Sequence, residues 1–459
     1  MKAPPESLDS ESARLPRTTK FFYALGDHPL NVSLSSLSFF YAFFLAEIAG
    51  IRPALAGLIP LIGRIVDAIA DPAMGRISDH TSWRAGRRRP YFLIGMLPFG
   101  ACFAALWWNI PVQEQSVRFA YYAAVYVLYS LSVTVIAVPY MALLPELTAS
   151  YQERTSLSIY RSVAAALGSM FAVVAMRPLA EAFGGGSEGF AGAGVVFGIW
   201  LMLPWIFVYR ATWERPDFQR PGRHSLREGI MLIWRHHTYR RLVGLYLLGR
   251  IAMDLATAMF IFYFTFWLGR PEDFEITMGL FLVSVVLALP VWLRISERTD
   301  KRNIYLFGAA WWLGAQVFIF SATPAWPRSV IFLGAVIAGV GYAVADAMPW
   351  SMLGDVVDED ELTSGKRREG IYTGFFTFLR KLGGAAGVAT ALFVLDLSGY
   401  REGTEQTDLT LWTIRSLTAG APAVFVLLAA WVTLRYPLSR ARHAQILAEL
   451  RVRRRQDAS

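Results

Sequence analysis

The sequence predicts an all-α polytopic membrane protein with twelve transmembrane helices in two six-helix halves. Of its 459 residues, 55% are hydrophobic and only 17% are charged, whereas soluble domains carry about 25% charged residues. Apolar segments long enough to span a bilayer, about 20 residues each, recur along the chain. Lys and Arg concentrate in alternate connecting loops. A water-soluble protein is therefore not expected.

Twelve apolar segments are the predicted spans. They follow a polar stretch, residues 1–19, that lacks the apolar core of a signal peptide, so we expect insertion to begin at the first span. The spans cover 24–49, 53–77, 90–109, 117–144, 156–180, 190–209, 241–268, 275–295, 303–321, 328–353, 370–397 and 411–436.

Basic residues in the loops predict the orientation. Loop 210–241 holds eight arginines against three acidic residues, and the segment after the last span is also rich in arginine. Because such loops stay on the cytoplasmic side, both termini are expected there, in a plasma membrane of the bacterial inner-membrane type. The net charge, 44 − 35 = +9, then lies at the anionic lipid surface, and no nucleic-acid partner is expected.

The loop after the sixth span divides the chain. We predict a cytoplasmic N-terminal tail (1–19), a first bundle (20–209), a cytoplasmic linker (210–240), a second bundle (241–436) and a basic cytoplasmic tail (437–459). We expect this tail to form an amphipathic helix at the membrane surface, carrying Leu447 and Leu450. The single cysteine, Cys102, excludes an internal disulfide and any multi-cysteine metal site. A monomer is expected.

A short repeat supports the two halves. Arg76-Ile77-Ser78-Asp79 ends the second span, and Arg294-Ile295-Ser296-Glu297 ends the eighth. Matched halves are typical of a transporter that rocks about a site near the bilayer midplane. The alternative is that any short cytoplasmic turn collects such residues.

Two aspartates inside the second span are the strongest functional signal. A charge at bilayer mid-depth costs about 2.5–3.5 kcal/mol and so indicates function. Asp67 and Asp71 are four residues apart, on one helix face. They repel each other unless a cation lies between them, which favours Na⁺ or Li⁺ held by oxygen ligands, or a shared proton. Alternatively, Arg64 neutralises Asp67, and Asp71 caps a break at Pro72.

Further charged residues lie in later spans. Lys381 follows Arg380 in the eleventh span. Either only one of the two side chains lines a cavity, or both extend towards the polar surface near a helix end. Arg250 and Asp254 are four residues apart and predict an internal salt bridge. Asp346, in the tenth span, has no obvious partner in the sequence.

Three residues in the first, fourth and fifth spans are weaker candidates. Arg161 lies about one turn into the fifth span and is either an interfacial arginine or a substrate contact. Asn31 and Thr134 are uncharged, and such residues often join helices to one another.

Two charged blocks are candidate cytoplasmic gates. Asp79 lies close in sequence to Arg87 and Arg88, and it can pair with an arginine or with a helix N-terminus. Asp355 and Asp358 begin a second block that precedes Lys366, Arg367 and Arg368. Contacts of this kind would form when the cytoplasmic side closes. Plain topology-setting charge is the alternative for the first block.

Several of these segments resemble the glycoside–pentoside–hexuronide:cation symporter family, the melibiose-permease-like branch of the major facilitator superfamily. They are residues 64–75, the turn at 86–90, Val138-Pro139-Tyr140, and residues 349–358. The resemblance implies the major facilitator fold, alternating access and cation-coupled symport of a sugar or glycoside. It implies no enzymatic activity and no cofactor beyond the coupling ion, Na⁺, Li⁺ or H⁺. The expected partners are a small-molecule solute, that cation and membrane lipid.

The resemblance also implies site residues. The family's cation site falls on Asp67 and Asp71, with Thr134 as a neutral ligand. Its lysine on helix 11 and arginine on helix 5 fall on Lys381 and Arg161. By spacing, Asn31 replaces the helix-1 acid of melibiose permease. Together with Trp350, which lies in a matching segment, the expected substrate-binding set is Asn31, Arg161, Lys381 and Trp350.

Two other functions remain open at this point. A vertebrate branch with the same fold imports lysophospholipids, and its tenth and eleventh segments also resemble this chain. The aspartates at 67, 71, 355, 358 and 360 also suggest an intramembrane prenyltransferase, although the first pair is predicted at mid-membrane and the others in the cytoplasm.

Overall fold

The computed structural model describes residues 14–148, 150–214, 231, 236–296, 298–365 and 368–456. The chain divides into two compact units. Unit 1 is Met1–Pro221 together with Tyr400–Glu405, and unit 2 is Gly222–Gly399 together with Gln406–Ser459. The predicted linker 210–240 lies mostly outside the described residues, as do Glu297, Lys366 and Arg367.

Seven α-helices lie among the described residues of unit 1. The second continues into two π-helical turns, Leu37–Tyr41 and Phe44–Ile48. The helices are α1 Arg17–Ala24, α2 Asp27–Ser36, α3 Pro53–His80, α4 Pro90–Leu106, α5 Gln115–Leu147, α6 Tyr151–Ala182 and α7 Gly186–Ala211.

Unit 2 is built in the same way. Its first helix ends in the π-helical turn Tyr263–Trp267, and a further π-helical turn, Ser416–Gly420, lies within its last span. The helices are α8 His237–Phe262, α9 Phe274–Ser296, α10 Lys301–Ser321, α11 Arg328–Ser364, α12 Glu369–Leu397, α13 Asp408–Arg415, α14 Ala421–Leu434 and α15 Arg440–Gln456.

Helix length and composition confirm a helical multi-pass membrane protein. Ten helical segments within the described residues are long and apolar enough to cross a membrane, and α4 is a shorter apolar helix. The run from α2 through its π-helical turns occupies the first predicted span. The twelve predicted spans therefore all coincide with helical segments. The described residues contain an isolated bridge between Trp83 and Gly86 but no named strand.

The ends of two corresponding helices support an internal repeat. In unit 1 the amide of Ala49 donates to Phe44 O at 2.8 Å, and in unit 2 the amide of Leu268 donates to Tyr263 O at 2.9 Å. The glycine that follows each, Gly50 or Gly269, has a φ of 64° or 63°. Because this left-handed conformation suits glycine, both helices end in the same way.

Helix α11 is longer than expected. The predicted span ends at 353, but the helix continues to Ser364 and ends at Gly365, whose φ of 69° stops it. The acidic block that begins at Asp355 is therefore helical rather than a loop.

The C-terminal helix α15 packs against protein. Ile446 and Leu450 are buried in the unit 2 core, with Leu450 only 3% exposed. His443 Nε2 lies 3.1 Å from Asp358 Oδ2. The tail is helical, but Leu450 does not lie at a membrane surface as expected, because the apolar face of α15 packs onto the core that α11 helps to form.

Candidate functional site

A glycine allows α3 and α5 to approach closely at the predicted cation site. Gly63 is buried, and a Cβ atom there would overlap the ring of Tyr126 on α5. One turn further along α5, Ser130 Oγ lies 3.4 Å from Gly63 O. Close approach of the two backbones brings the short side chains of α5 within reach of the carboxylates of α3.

Two hydroxyl–carboxylate pairs then lie one above the other. Ser130 Oγ donates to Asp67 Oδ1, and Thr134 Oγ1 donates to Asp71 Oδ1 at 2.7 Å. Each helix contributes residues four apart, so both pairs lie on facing surfaces. The structure thus brings together Asp67, Asp71 and Thr134 as the sequence predicted, and it adds Ser130. The i, i+4 spacing of Ser130 and Thr134 was the signal for it.

Arg64 adds a positive charge to this group. Its Nη1 lies 3.0 Å from Asp67 Oδ2, so the alternative ion pair considered from the sequence is present. Asp67 is 6% exposed, whereas Asp71 is partly exposed. Two carboxylates and two hydroxyls on facing helices offer the hard oxygen ligands suited to one small monovalent cation.

A buried acid on the first span was missed. Asp27 is 6% exposed and accepts two hydrogen bonds from the guanidinium of Arg161, at 2.6 Å from Nε and 3.1 Å from Nη2. Tyr140 Oη lies 2.5 Å from Asp27 Oδ2, and the Arg161 guanidinium lies 5.1 Å from the Tyr140 ring centroid. A carboxylate within a predicted span was the available signal for this residue.

This geometry corrects two expectations. Asn31 does not take the place of a helix-1 acid, because Asp27 lies one turn before it, and Asn31 Nδ2 instead donates to Asp27 O at 2.8 Å. Arg161 does not lie about one turn into its helix, since α6 begins at Tyr151, ten residues earlier. A guanidinium held this far into the helix by a buried carboxylate is not a flexible interfacial arginine.

Unit 2 has its own group of charged residues in its spans. Arg250 pairs with Asp254 on its own helix, which confirms the predicted salt bridge. The second contact of Arg250 is with Asp346 on α11, where Nη1 and Oδ1 are 3.2 Å apart. Asp254 lies against Gly384 of α12, where a Cβ atom would collide with its carboxylate. Asp346, which had no obvious partner in the sequence, therefore pairs across helices.

The two remaining predicted substrate residues also lie in unit 2. Trp350 is 38% exposed and stands edge-on to Tyr246 and Phe376, with centroid separations of 5.9 and 5.2 Å. Lys381 is half-buried on α12.

The first candidate gate is a network inside unit 1. Arg88 Nη2 lies 2.6 Å from Asp79 Oδ1, as the sequence suggested. Arg87 and Arg88 also share the buried carboxylate of Glu146, which is 1% exposed. Glu146 lies just past the predicted end of the fourth span, so it did not stand out in the sequence as an acid buried within a span. The arginines are therefore bound within their own unit as well as being candidate gate residues.

Glu214 holds the turn before α4. Its carboxylate accepts the backbone amides of Arg87, Arg88 and Arg89 at 2.8, 3.0 and 2.9 Å. Three amides that point at the start of a helix favour an anion. The turn Gly86–Arg89 is thus fixed by a buried acid that is distant in sequence.

The second candidate gate is also a network. Asp355 Oδ1 lies 2.8 Å from Lys301 Nζ and 3.6 Å from His443 Nε2, which also meets Asp358. Arg368 Nη2 lies 2.5 Å from Asp360 Oδ1. The acidic block thus pairs with basic residues of α10 and α15 that the sequence did not connect to it.

Comparison with known sequences places this chain in a family of transporters. The MFS/sugar transport protein family matches residues 22–440. An uncharacterized symporter of Synechocystis sp. is 32% identical, over 98% of this chain and 98% of the relative. An isoprimeverose transporter of Lactiplantibacillus pentosus is 27% identical, over 96% of this chain and 93% of the relative.

Another relative and one solved structure extend the comparison. The sodium-dependent lysophosphatidylcholine symporter 1-A of Danio rerio is 25% identical, over 92% of this chain and 86% of the relative. The crystal structure of a D-xylose-proton symporter has a TM-score of 0.65 at 12% identity and covers 92% of this chain and 98% of its own. That similarity shows the major facilitator fold alone.

Proposed function

Because the chain belongs to the MFS/sugar transport protein family, we propose that it takes up a sugar or glycoside together with a monovalent cation bound at Asp67 and Asp71. It is a multi-pass membrane transporter of the symporter type. The observation that carries the proposed site is the pair of hydroxyl–carboxylate contacts between α3 and α5. Family membership favours transport over the prenyltransferase interpretation.

Two carboxylates on one helix face explain why a cation would bind. Arg64 contacts Asp67, and a cation held between the two carboxylates would offset their mutual repulsion. A hydroxyl can donate one hydrogen bond and accept others. Ser130 and Thr134 can therefore donate to the carboxylates without a cation and turn their lone pairs towards one that enters. Binding would cancel the repulsion between Asp67 and Asp71 and favour the state that closes around the solute.

The coupling ion and the orientation belong to the same proposal. Na⁺, Li⁺ or a proton can each fill a site of two carboxylates and two hydroxyls. The predicted excess of Arg in alternate loops supports cytoplasmic termini.

A comparison of hydroxyls within α5 tests the cation site. Ser130→Ala and Thr134→Ala each remove one proposed ligand, whereas Ser132→Ala removes a buried hydroxyl that bonds to Tyr129 O of its own helix. In proteoliposomes, we expect each of the first two to raise the cation concentration for half-maximal sugar uptake about tenfold, the value of one hydrogen bond to a charged group. Ser132→Ala should match the wild type.

The outcome decides the assignment directly. The cation site is wrong if Ser130→Ala and Thr134→Ala need no more cation than Ser132→Ala does. The solutes offered should be D-xylose, isoprimeverose, melibiose and lysophosphatidylcholine, each with and without an inward gradient of Na⁺, Li⁺ or H⁺.

Lysophospholipid symport is the second candidate. Relatives with that printed function align over most of the chain, and unit 2 contains an apolar pocket. Phe260, Phe264, Leu268, Met278, Phe281 and Ile331 are among the residues that line it. A lining of this kind suits an acyl chain. Accumulation of lysophosphatidylcholine without accumulation of any sugar would favour this candidate.

A further inference from the structure

Helix α11 presents one accessible stripe. Tyr342, Asp346, Trp350 and Gly354 follow one another at intervals of four and are partly or fully exposed. The positions between them are mostly buried, including Val344 and Met348 at 0% exposure. Residues four apart lie on one face of a helix. This face therefore combines a phenol, a carboxylate and an indole.

The carboxylate on this stripe indicates contact with water rather than lipid. The Asp346 side chain is 42% exposed although it lies within a segment long and apolar enough to span a membrane. Charged groups in such segments face the bundle interior or a water-filled cavity, because burial in lipid is costly. Asp346 is therefore accessible to a polar solute.

Arg250 holds the Asp346 carboxylate in place. It meets one carboxylate oxygen at 3.2 Å while its own position is fixed by the pair with Asp254. An ionised carboxylate offers about four lone-pair sites, so this contact leaves Asp346 able to accept further hydrogen bonds from a solute.

The surroundings of Trp350 add a stacking surface and a donor. Tyr246 and Phe376 stack on each other at 4.1 Å, and both stand edge-on to the indole, which fixes the ring. Arg380 and Asp346 both interact electrostatically with Tyr246. Arg380 Nε is shielded from solvent and has no hydrogen-bond acceptor within the part of the chain that the structure describes.

We propose that Asp346 and Trp350 form a sugar-binding subsite of unit 2, in which Asp346 accepts hydrogen bonds from solute hydroxyls, Trp350 covers an apolar sugar face and Arg250 positions the carboxylate. The inference rests on the proposed sugar symport. It gives Asp346 a role that the amino-acid sequence did not indicate. A solute with adjacent hydroxyls on one side of its ring matches a carboxylate beside an indole. In ligand pockets a small number of polar groups on a mostly apolar lining is enough to fix the orientation of the ligand.

The test uses the sugar that wild-type proteoliposomes accumulate from the panel above. We expect Asp346→Asn to raise the KM for that sugar at least about tenfold, because a hydrogen bond to a charged group is lost, while the concentration of cation needed stays unchanged. Asp346→Glu keeps the acceptor and should recover much of the affinity. Glu272→Gln is the control, because it removes a carboxylate of unit 2 that is 57% exposed and pairs with Arg328 outside the subsite, and it should leave the KM unchanged.

A charge-restoring variant excludes a merely structural role. Arg250, Asp254 and Asp346 carry a formal charge of +1 − 2 = −1, and the double variant Arg250→Gln with Asp346→Asn keeps that value. If Asp346 only neutralises Arg250, the double variant restores the KM and overturns the proposal. If Asp346 binds the solute, the KM stays high in the double variant.

The remaining outcomes are also decisive. An unchanged KM in Asp346→Asn overturns the subsite but leaves sugar symport intact. Accumulation of lysophosphatidylcholine alone overturns the subsite and leaves cation-coupled transport intact. Absence of cation-driven accumulation of every panel solute overturns the proposed function, and the subsite falls with it.

Discussion

Replacing Asp71 by Asn should abolish cation binding by the purified protein. The substitution removes one negative charge from the proposed site, while the neighbouring hydroxyl of Thr134, 2.7 Å away, can still bond to the amide oxygen. A cation held by both carboxylates lies within about 4 Å of each. At that separation, one unit charge contributes about 4 kcal/mol at an effective dielectric constant of about 20.

That energy corresponds to almost a thousandfold in affinity, at about 1.4 kcal/mol per factor of ten. At a cation concentration of about 100 Kd, binding stabilises the wild type by about 2.7 kcal/mol. For the variant the same concentration is about 0.1 Kd, so the stabilisation falls below about 0.1 kcal/mol. The cation-dependent rise in Tm should therefore disappear.

The assay is thermal unfolding of purified protein in NaCl, LiCl or choline chloride at equal ionic strength. Glu181→Gln is the matched control, because it removes a carboxylate of unit 1 that pairs with Arg177 at 3.0 Å and is 59% exposed. It should keep the wild-type cation effect. The reasoning is refuted if Asp71→Asn retains most of the cation-dependent stabilisation, or if Glu181→Gln loses it as well.

Two further predictions concern stability in unit 2. Gly384→Ala should lower the unfolding free energy by roughly 1–3 kcal/mol, because the Cβ of the new alanine would displace the Asp254 carboxylate. Gly374→Ala is the control, because a Cβ there would have no atom within 4 Å. Equal Tm values for the two variants would contradict the prediction. Burial lowers the pKa of His236, so this imidazole takes up a proton at higher pH in the unfolded chain than in the folded one. The free energy of unfolding should therefore fall as the pH drops below about 6.5, by at most about 1.4 kcal/mol per pH unit. His236→Asn keeps a hydrogen-bond acceptor for the Tyr239 amide. It should reduce the change of Tm between about pH 7.5 and 5.5. A change of Tm with pH equal to that of the wild type would refute the role of His236.

Part of the candidate site could be predicted from spacing alone. Asp67 and Asp71 share a helix face because four residues make about one turn, and a carboxylate in a span is too costly to be incidental. The salt bridge of Arg250 with Asp254 follows from the same spacing. Both predictions depend on one helix and on no information about its neighbours.

Contacts between helices could not be predicted in this way. Ser130 lies beside Asp67 because Gly63 lets α5 approach α3 closely. The sequence pattern within either helix does not predict this approach. Asp346 pairs with Arg250, which lies 96 positions earlier in the sequence. Arg161 pairs with Asp27, 134 positions away, whereas the sequence placed Asn31 at the position of the family's helix-1 acid.

Apolar segments that alternate with charged loops, and the cost of burying charge in lipid, predicted from the sequence by itself a helical membrane protein with two carboxylates inside its second span. These are properties of single segments in contact with a membrane. The tertiary structure alone decided which hydroxyl, arginine or indole stands beside each carboxylate. Such pairings depend on helix packing between residues far apart in sequence, where a single glycine sets the distance of approach.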